Sequence, residues 1–236
     1  MLVDSHCHVN FVNFRDDGHT IIEDFLKTNY ALVVVGSQAS SSRRAVEYAQ
    51  NYTKGVYSAV GLHPIDLFDE TEESVVIDGV EHTFKNRPEK FDYNFYRDLA
   101  LSSEKVVAFG EVGFDYYYFD GLSAEKIKEI IQKQQDTLRS FIDLAQELDK
   151  PIIFHCRGAK HDPFGAYDDL LEFLKQELLA GKKIRGVIHC FGGNQKQAQE
   201  FLNLGFYLGF TGIITFKKTE ELQNIAKDCP LDRLLV

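Results

Sequence analysis

The segment Pro151-Ile152-Ile153-Phe154-His155-Cys156-Arg157 decides the fold. It is a short apolar run, too brief for a helix, and it ends in side chains that bind metals or anions. A strand buried on both faces reads this way, because helices covering a parallel sheet leave neither face to water. Seven other runs are of the same type: Met1–Val3, Ala31–Val35, Val56–Val60, Val106–Phe109, Val187–Ile188, Phe206–Leu208 and Leu234–Val236. Between them lie helical patterns. Ser123–Leu148 sets Leu138, Phe141, Ile142, Ala145 and Leu148 at three- and four-residue spacing, and Ser40–Tyr52, Tyr167–Leu179, Gln195–Leu204 and Glu220–Asp228 are the others. Eight strands alternating with helices predict an α/β fold, a (β/α)8 TIM-type barrel, and the 236 residues come near the usual length of about 250. An open doubly wound sheet has the same alternation and is the competing fold.

Hydrophobic residues make up 44% of the chain and charged residues 26%, the usage of a globular domain, which excludes a disordered or collagen-like chain. The net charge of −10 excludes a protein that coats nucleic acid non-specifically. Any work on phosphates must rest on cations held in one place. Asp4 stands where a signal peptide needs its apolar run, and no stretch approaches the roughly twenty apolar residues of a bilayer span. Cys7, Cys156, Cys190 and Cys229 are spaced too irregularly for a disulfide framework. The expectation is a cytoplasmic monomer with no membrane partner.

Ligand-type residues then fall at matching places. His6 and His8 follow the first run, His63 the third, Glu111 the fourth, His155 the fifth and His189 the sixth. In a closed barrel the C-terminal ends of the strands converge on one mouth, where active sites are built. In extended chain, His6 and His8 point to one side and reach a common ion. Imidazoles with a bridging carboxylate suit Zn, Mn, Fe or Co. Two ions about 3.5–4 Å apart would share Glu111, and bound water would attack phosphorus or carbon. Cys7, Cys156 and Cys190 each neighbour a His, so their thiols face the other way, into the layer between barrel and helices. Arg157 is a candidate partner for an anionic oxygen. Asp115 is a candidate substrate contact, supporting residue or turn former. Phe114, Tyr116, Tyr117, Tyr118 and Phe119 are either core or a base-stacking rim, and Gly192-Gly193 permits a tight turn of amides toward phosphate. His19, His82 and His161 stand in loops or helix starts and look incidental. The expected organisation is a single metallohydrolase barrel domain over 1–236, with an elaborated loop at about 69–93.

Asp4-Ser5-His6-Cys7-His8, Gly61-Leu62-His63-Pro64, Gly110-Glu111-Val112-Gly113-Phe114-Asp115, Pro151–Arg157 and His189-Cys190-Phe191-Gly192-Gly193 together resemble the TatD family of metal-dependent deoxyribonucleases. That family has an amidohydrolase-like barrel. The resemblance implies two divalent ions (Mg, Mn or Zn), one on His6, His8 and Glu111 and the other on Glu111, His155 and His189. It places His63 and Arg157 near the scissile phosphate. The implied activity is 3′→5′ exonuclease cleavage of DNA, chiefly single-stranded. The family pattern also has a metal-binding Asp beyond the eighth strand, whereas this sequence stops at Val236. The barrel is therefore expected to be truncated around the eighth strand, with weak closure, and its water activation impaired. The alternatives are a barrel amidohydrolase or esterase on a small substrate, and a catalytically impaired chain that binds without turnover.

Overall fold

In the computed structural model every one of the eight apolar runs lies in or against a strand. Residues 2–69, 72–77 and 80–236 are described, with the backbone alone for 72–77 and 80–85. The order is β1 (Val3–Cys7), α1 (Gly18–Leu26), β2 (Ala31–Val35), α2 (Ala39–Gln50), β3 (Val56–Val60), β4 (Glu72–Ile77), β5 (Val80–Lys85), α3 (Tyr93–Leu101) and β6 (Val106–Asp115). Then come α4 (Ala124–Glu147), β7 (Ile152–Arg157), α5 (Gly165–Leu179), β8 (Gly186–Ile188), α6 (Gln195–Asn203), β9 (Tyr207–Gly209), α7 (Glu220–Asp228) and β10 (Leu234–Leu235). Among the described residues, eight strands form one parallel sheet in the order β1-β2-β3-β6-β7-β8-β9-β10. That order never reverses, so the doubly wound sheet is excluded. The sheet curls until the Ser5 N–H and hydroxyl both donate to the Val236 carbonyl, at 2.8 and 2.7 Å. The barrel is thus nearly closed, joined there by two hydrogen bonds in place of a ladder.

Within the tract at 69–93 the described residues include a pair of strands. β4 and β5 pair antiparallel from Glu72↔Lys85 to Ile77↔Val80. Asp78-Gly79 between β-branched runs is the sequence signal for such a hairpin. Two strands also run on past their apolar runs. β6 continues through Asp115 and β7 through Arg157, so Glu111 and His155 lie inside strands and not beyond them.

Alternation along each strand divides the barrel from its shell. Val35, Ala59, Ala108, Ile153 and Val187 form a cluster of their own inside the barrel. Phe109, Val112, Phe114, Ile152, Phe154 and Cys156 pack outward against Leu138, Phe141 and Leu174 of the helices. On β6 both Ala108 and Glu111 must face inward, which strict alternation forbids. A register shift between Phe109↔Ile152 and Val112↔Phe154 supplies one extra residue there, and the bulge turns Glu111 inward. β1 has a shift of its own between Asp4 and Cys7, around His6. Among the described residues no helix is long and apolar enough to cross a membrane, and all four cysteines are free thiols.

Candidate metal centre

Glu111 sits at the centre of the mouth, buried, with imidazoles on two sides. Its Oε1 is 2.6 Å from His155 Nδ1 and 4.0 Å from His63 Nε2, and its Oε2 is 3.3 Å from His6 Nε2 and 3.9 Å from His8 Nε2. His189 stacks on His6 with ring centroids 3.4 Å apart. The structure therefore brings together all six residues that the sequence placed at strand ends. Five of them form two groups with ligand atoms within 4.8 Å of one another: His6, Glu111 and His189, and His63, Glu111 and His155; His8 stands beside the first, its Nε2 3.0 Å from His6 Nε2. His189 thus neighbours His6, and His63 neighbours His155 at 3.1 Å. Gly113 lets β6 and β7 approach, because a Cβ there would collide with the His155 carbonyl and its φ is +150°.

Two of the rings are oriented by their second nitrogen. His155 Nε2 donates to Asp115 Oδ2 at 2.9 Å, which aims Nδ1 at Glu111. His8 Nδ1 donates to the Val35 carbonyl at 3.1 Å, which aims Nε2 inward. Both arrangements leave a lone pair for an ion once the ring is neutral. His63 is different. Its Nδ1 accepts from the Ile65 N–H at 3.2 Å, so the hydrogen of its neutral ring is on Nε2 and faces the mouth.

Burial and crowding set the charges. Burial would raise the Glu111 carboxyl, but His6 and His155 hold it well below the usual range. Burial would lower His155, yet Glu111 and Asp115 push it up to about 9. Burial and the neighbouring His155 bring His63 down to about 3, and burial with His6 does the same to His189. A site that gathers imidazole nitrogens around a buried carboxylate, with His6 Nδ1 buried and unpartnered, has the donor set that a divalent borderline metal takes.

Asp115 is fully buried. Its Oδ2 accepts from His155 Nε2 and from Arg157 Nε, both at 2.9 Å, and its Oδ1 accepts from the Tyr117 N–H. It reaches the mouth only through those two partners. Arg157 is clamped further by Tyr117 and Tyr118, whose centroids lie 4.2 and 5.2 Å from its guanidinium carbon. The aromatic cluster therefore splits: Phe114, Tyr116 and Phe119 are core, while Tyr117 and Tyr118 line the rim. The Gly192 N–H is taken by the Tyr167 hydroxyl at 2.9 Å. His19 stacks on Tyr48, His161 pairs with Asp120 at the surface, and the His82 side chain lies outside the described residues. Cys7 and Cys156 pack in the layer beneath the helices, while Cys190 is half-buried against Thr211.

Sequence reasoning missed two supports. Asn10, buried two residues past His8, donates to the carbonyls of Val35 and Ser41 at 3.0 and 2.9 Å, which fixes the acceptor His8 uses. Its signal was the same spacing of two that paired His6 with His8. The other is the chain leaving β5. Asn86 Nδ2 donates to the Ile65 and Asp69 carbonyls, the Arg87 N–H to Asp66 Oδ1, and the Glu89 N–H to the Asp66 carbonyl, strapping the turn that carries His63. No local pattern announces a contact made across about twenty residues.

A family model described as TatD related DNase matches residues 3–236. The chain is 33% identical over 237 residues to the uncharacterized metal-dependent hydrolase YabD of Bacillus subtilis (strain 168), covering 100% of this chain and 78% of that one. It is 34% identical over 235 residues to the uncharacterized metal-dependent hydrolase YcfH of Escherichia coli (strain K12), covering 100% and 76%. In shape it is similar to the crystal structure of YjjV, a TatD homolog from Escherichia coli K12, with a TM-score of 0.72 at 24% identity over 100% of this chain and 77% of that one. A TatD family hydrolase of Entamoeba histolytica gives 0.67 at 21% identity, over 99% and 71%. At those identities the two structures speak for the fold, and the family model and the curated relatives speak for kinship: the chain belongs to the TatD-related DNase family.

Proposed function

We propose that this chain is a metal-dependent phosphodiesterase that cleaves DNA, acting from the 3′ end of single strands. The observation that carries the reading is the convergence of five imidazoles and Glu111 at one mouth, beside an arginine fixed by a buried carboxylate. His6, His8, His155 and His189 would hold two divalent ions around Glu111. When bound, the ions supply Lewis acidity and a nucleophilic water at neutral pH. Everything else falls to the chain itself. Glu111 offers one oxygen to each group of imidazoles and keeps its charge because those rings surround it. Asp115 fixes the His155 ring so that Nδ1, not Nε2, faces the centre. His63 is set apart from the ligands by its hydrogen on Nε2, so it donates to an oxygen of the phosphate. Arg157, held through Nε by Asp115, binds a second phosphate oxygen and neutralises charge that grows during displacement.

The test is hydrolysis of end-labelled single-stranded DNA with Mg, Mn or Zn, against a chelated control and a panel of small esters and amides. Metal-dependent shortening of the strand from its 3′ end is the expected result. Turnover of the esters or amides alone would make the chain a small-substrate hydrolase. Metal uptake with no turnover on any substrate would make it a binding protein.

A further inference from the structure

Beyond Arg157 the rim carries a second cation. Lys160 is exposed, its Nζ lies 4.8 Å from the Tyr117 ring centroid, and it forms no ion pair among the described residues. The contacts run outward from the centre in one line: His155 to Asp115, Asp115 to Arg157, Arg157 to Tyr117, and Tyr117 to Lys160. In a chain with 36 acidic and 26 basic residues, a cation left unneutralised beside the mouth is placed against the general field. A ring face keeps such a cation in position without cancelling its charge, as a carboxylate would. Arg157 also walls a cavity of about 290 Å³ that opens onto His155, His189, Gly158 and Tyr167. Arg157 is thus shared by that cavity and by the Tyr117 ring on which Lys160 rests.

From this line of contacts we infer that Tyr117 and Lys160 form a subsite for the sugar-phosphate unit next to the one being hydrolysed. The inference rests on the phosphodiesterase reading and sharpens it: the preferred substrate is a single-stranded oligonucleotide, not an isolated diester. Lys160 meets the flanking phosphate, and the Tyr117 ring holds both Lys160 and Arg157 in place for it.

Fluorescence anisotropy of a labelled oligothymidylate, with a chelator present so that no turnover intervenes, tests it directly. Lys160→Ala and Tyr117→Ala are each expected to weaken binding about tenfold. Tyr117→Phe should keep the affinity, because the ring and not the hydroxyl holds the cation. Losing one phosphate contact in Lys160→Ala should also lower the slope of log affinity against log salt by about 0.7. Lys54→Ala, at the opposite end of the barrel, serves as the control for net charge. Unchanged binding in Lys160→Ala and Tyr117→Ala alike, an equal loss in Lys54→Ala, or no binding by the unaltered chain would overturn the subsite. Hydrolysis of bis(p-nitrophenyl) phosphate with Mn reports separately on the reading beneath it. Turnover there without oligonucleotide binding removes the subsite alone. The expected binding pattern without turnover removes the hydrolase reading alone.

Discussion

The two ends of the barrel are made from the same strands and have opposite chemistry. On β7, Ile153 and His155 face inward two residues apart; on β8 and just past it, so do Val187 and His189. At the N-terminal end Val33, Val107, Ile153, Val187 and Leu235 line an apolar cavity of about 340 Å³. At the C-terminal end the same inward positions are imidazole and carboxylate. A single step of the β repeat separates a floor whose packing holds the barrel together from a mouth whose polar groups hold one another. Stability and chemistry should therefore be separable by substitution.

The sharpest break is Glu111→Gln, which removes the charge shared by both imidazole groups. Hydrolysis should fall about 10³-fold or more, several kcal/mol of added barrier, while the chain still folds, at some cost in melting temperature because His155 loses its buried partner. A small loss would move the chemistry away from this mouth. At the floor, Ile153→Ala should cost about 2–3 kcal/mol in denaturant unfolding, at the low end for such a change because the cavity already adjoins it. Its metal content should stay that of the parent. Metal loss in parallel with stability would show the two ends to be one unit. Asp115→Asn leaves the fold and frees the His155 ring and Arg157, and metal affinity or turnover should drop about 10–100-fold in a metal titration.

The smallest effect lies beside the mouth, in the turn after His63, at Asp66. Burial raises its carboxyl to about 7, so the folded chain holds a proton that the unfolded chain gives up near the usual carboxylate value. The stability this proton confers is complete in acid and disappears as pH rises through about 7. Asp66→Asn should therefore gain about 1–2 kcal/mol at pH 8 relative to the parent and little at pH 4. A parallel shift at both pH values would mean that Asp66 stays ionised in the fold.

Much of this was legible in the residues. Eight apolar runs and the ligand-type side chains that close five of them gave barrel, mouth and cluster together, because both arise from one periodicity. The helices α1 and α3 escaped, and not through length, since α6 and α7 are also nine residues each; α1 begins without a side-chain cap. The inward turn of Glu111 was not legible either. Counting by twos from Ala108 points it outward, and only the bulge against β7 reverses that count. The distinct part of His63 was hidden for another reason. A sequence shows a histidine, whereas the Ile65 amide shows which nitrogen keeps the hydrogen.

The strap at Asn86–Glu89 works as an anchor. It pins the returning chain to the turn after His63 before the backbone goes on to α3, and Glu89 also caps α2 by accepting from the Ala39 N–H at 3.1 Å. Whatever is spliced between Asp69 and Asn86 is thereby insulated from the imidazole it springs from. Changes of length or sequence within that excursion should therefore leave the His63 turn where it is.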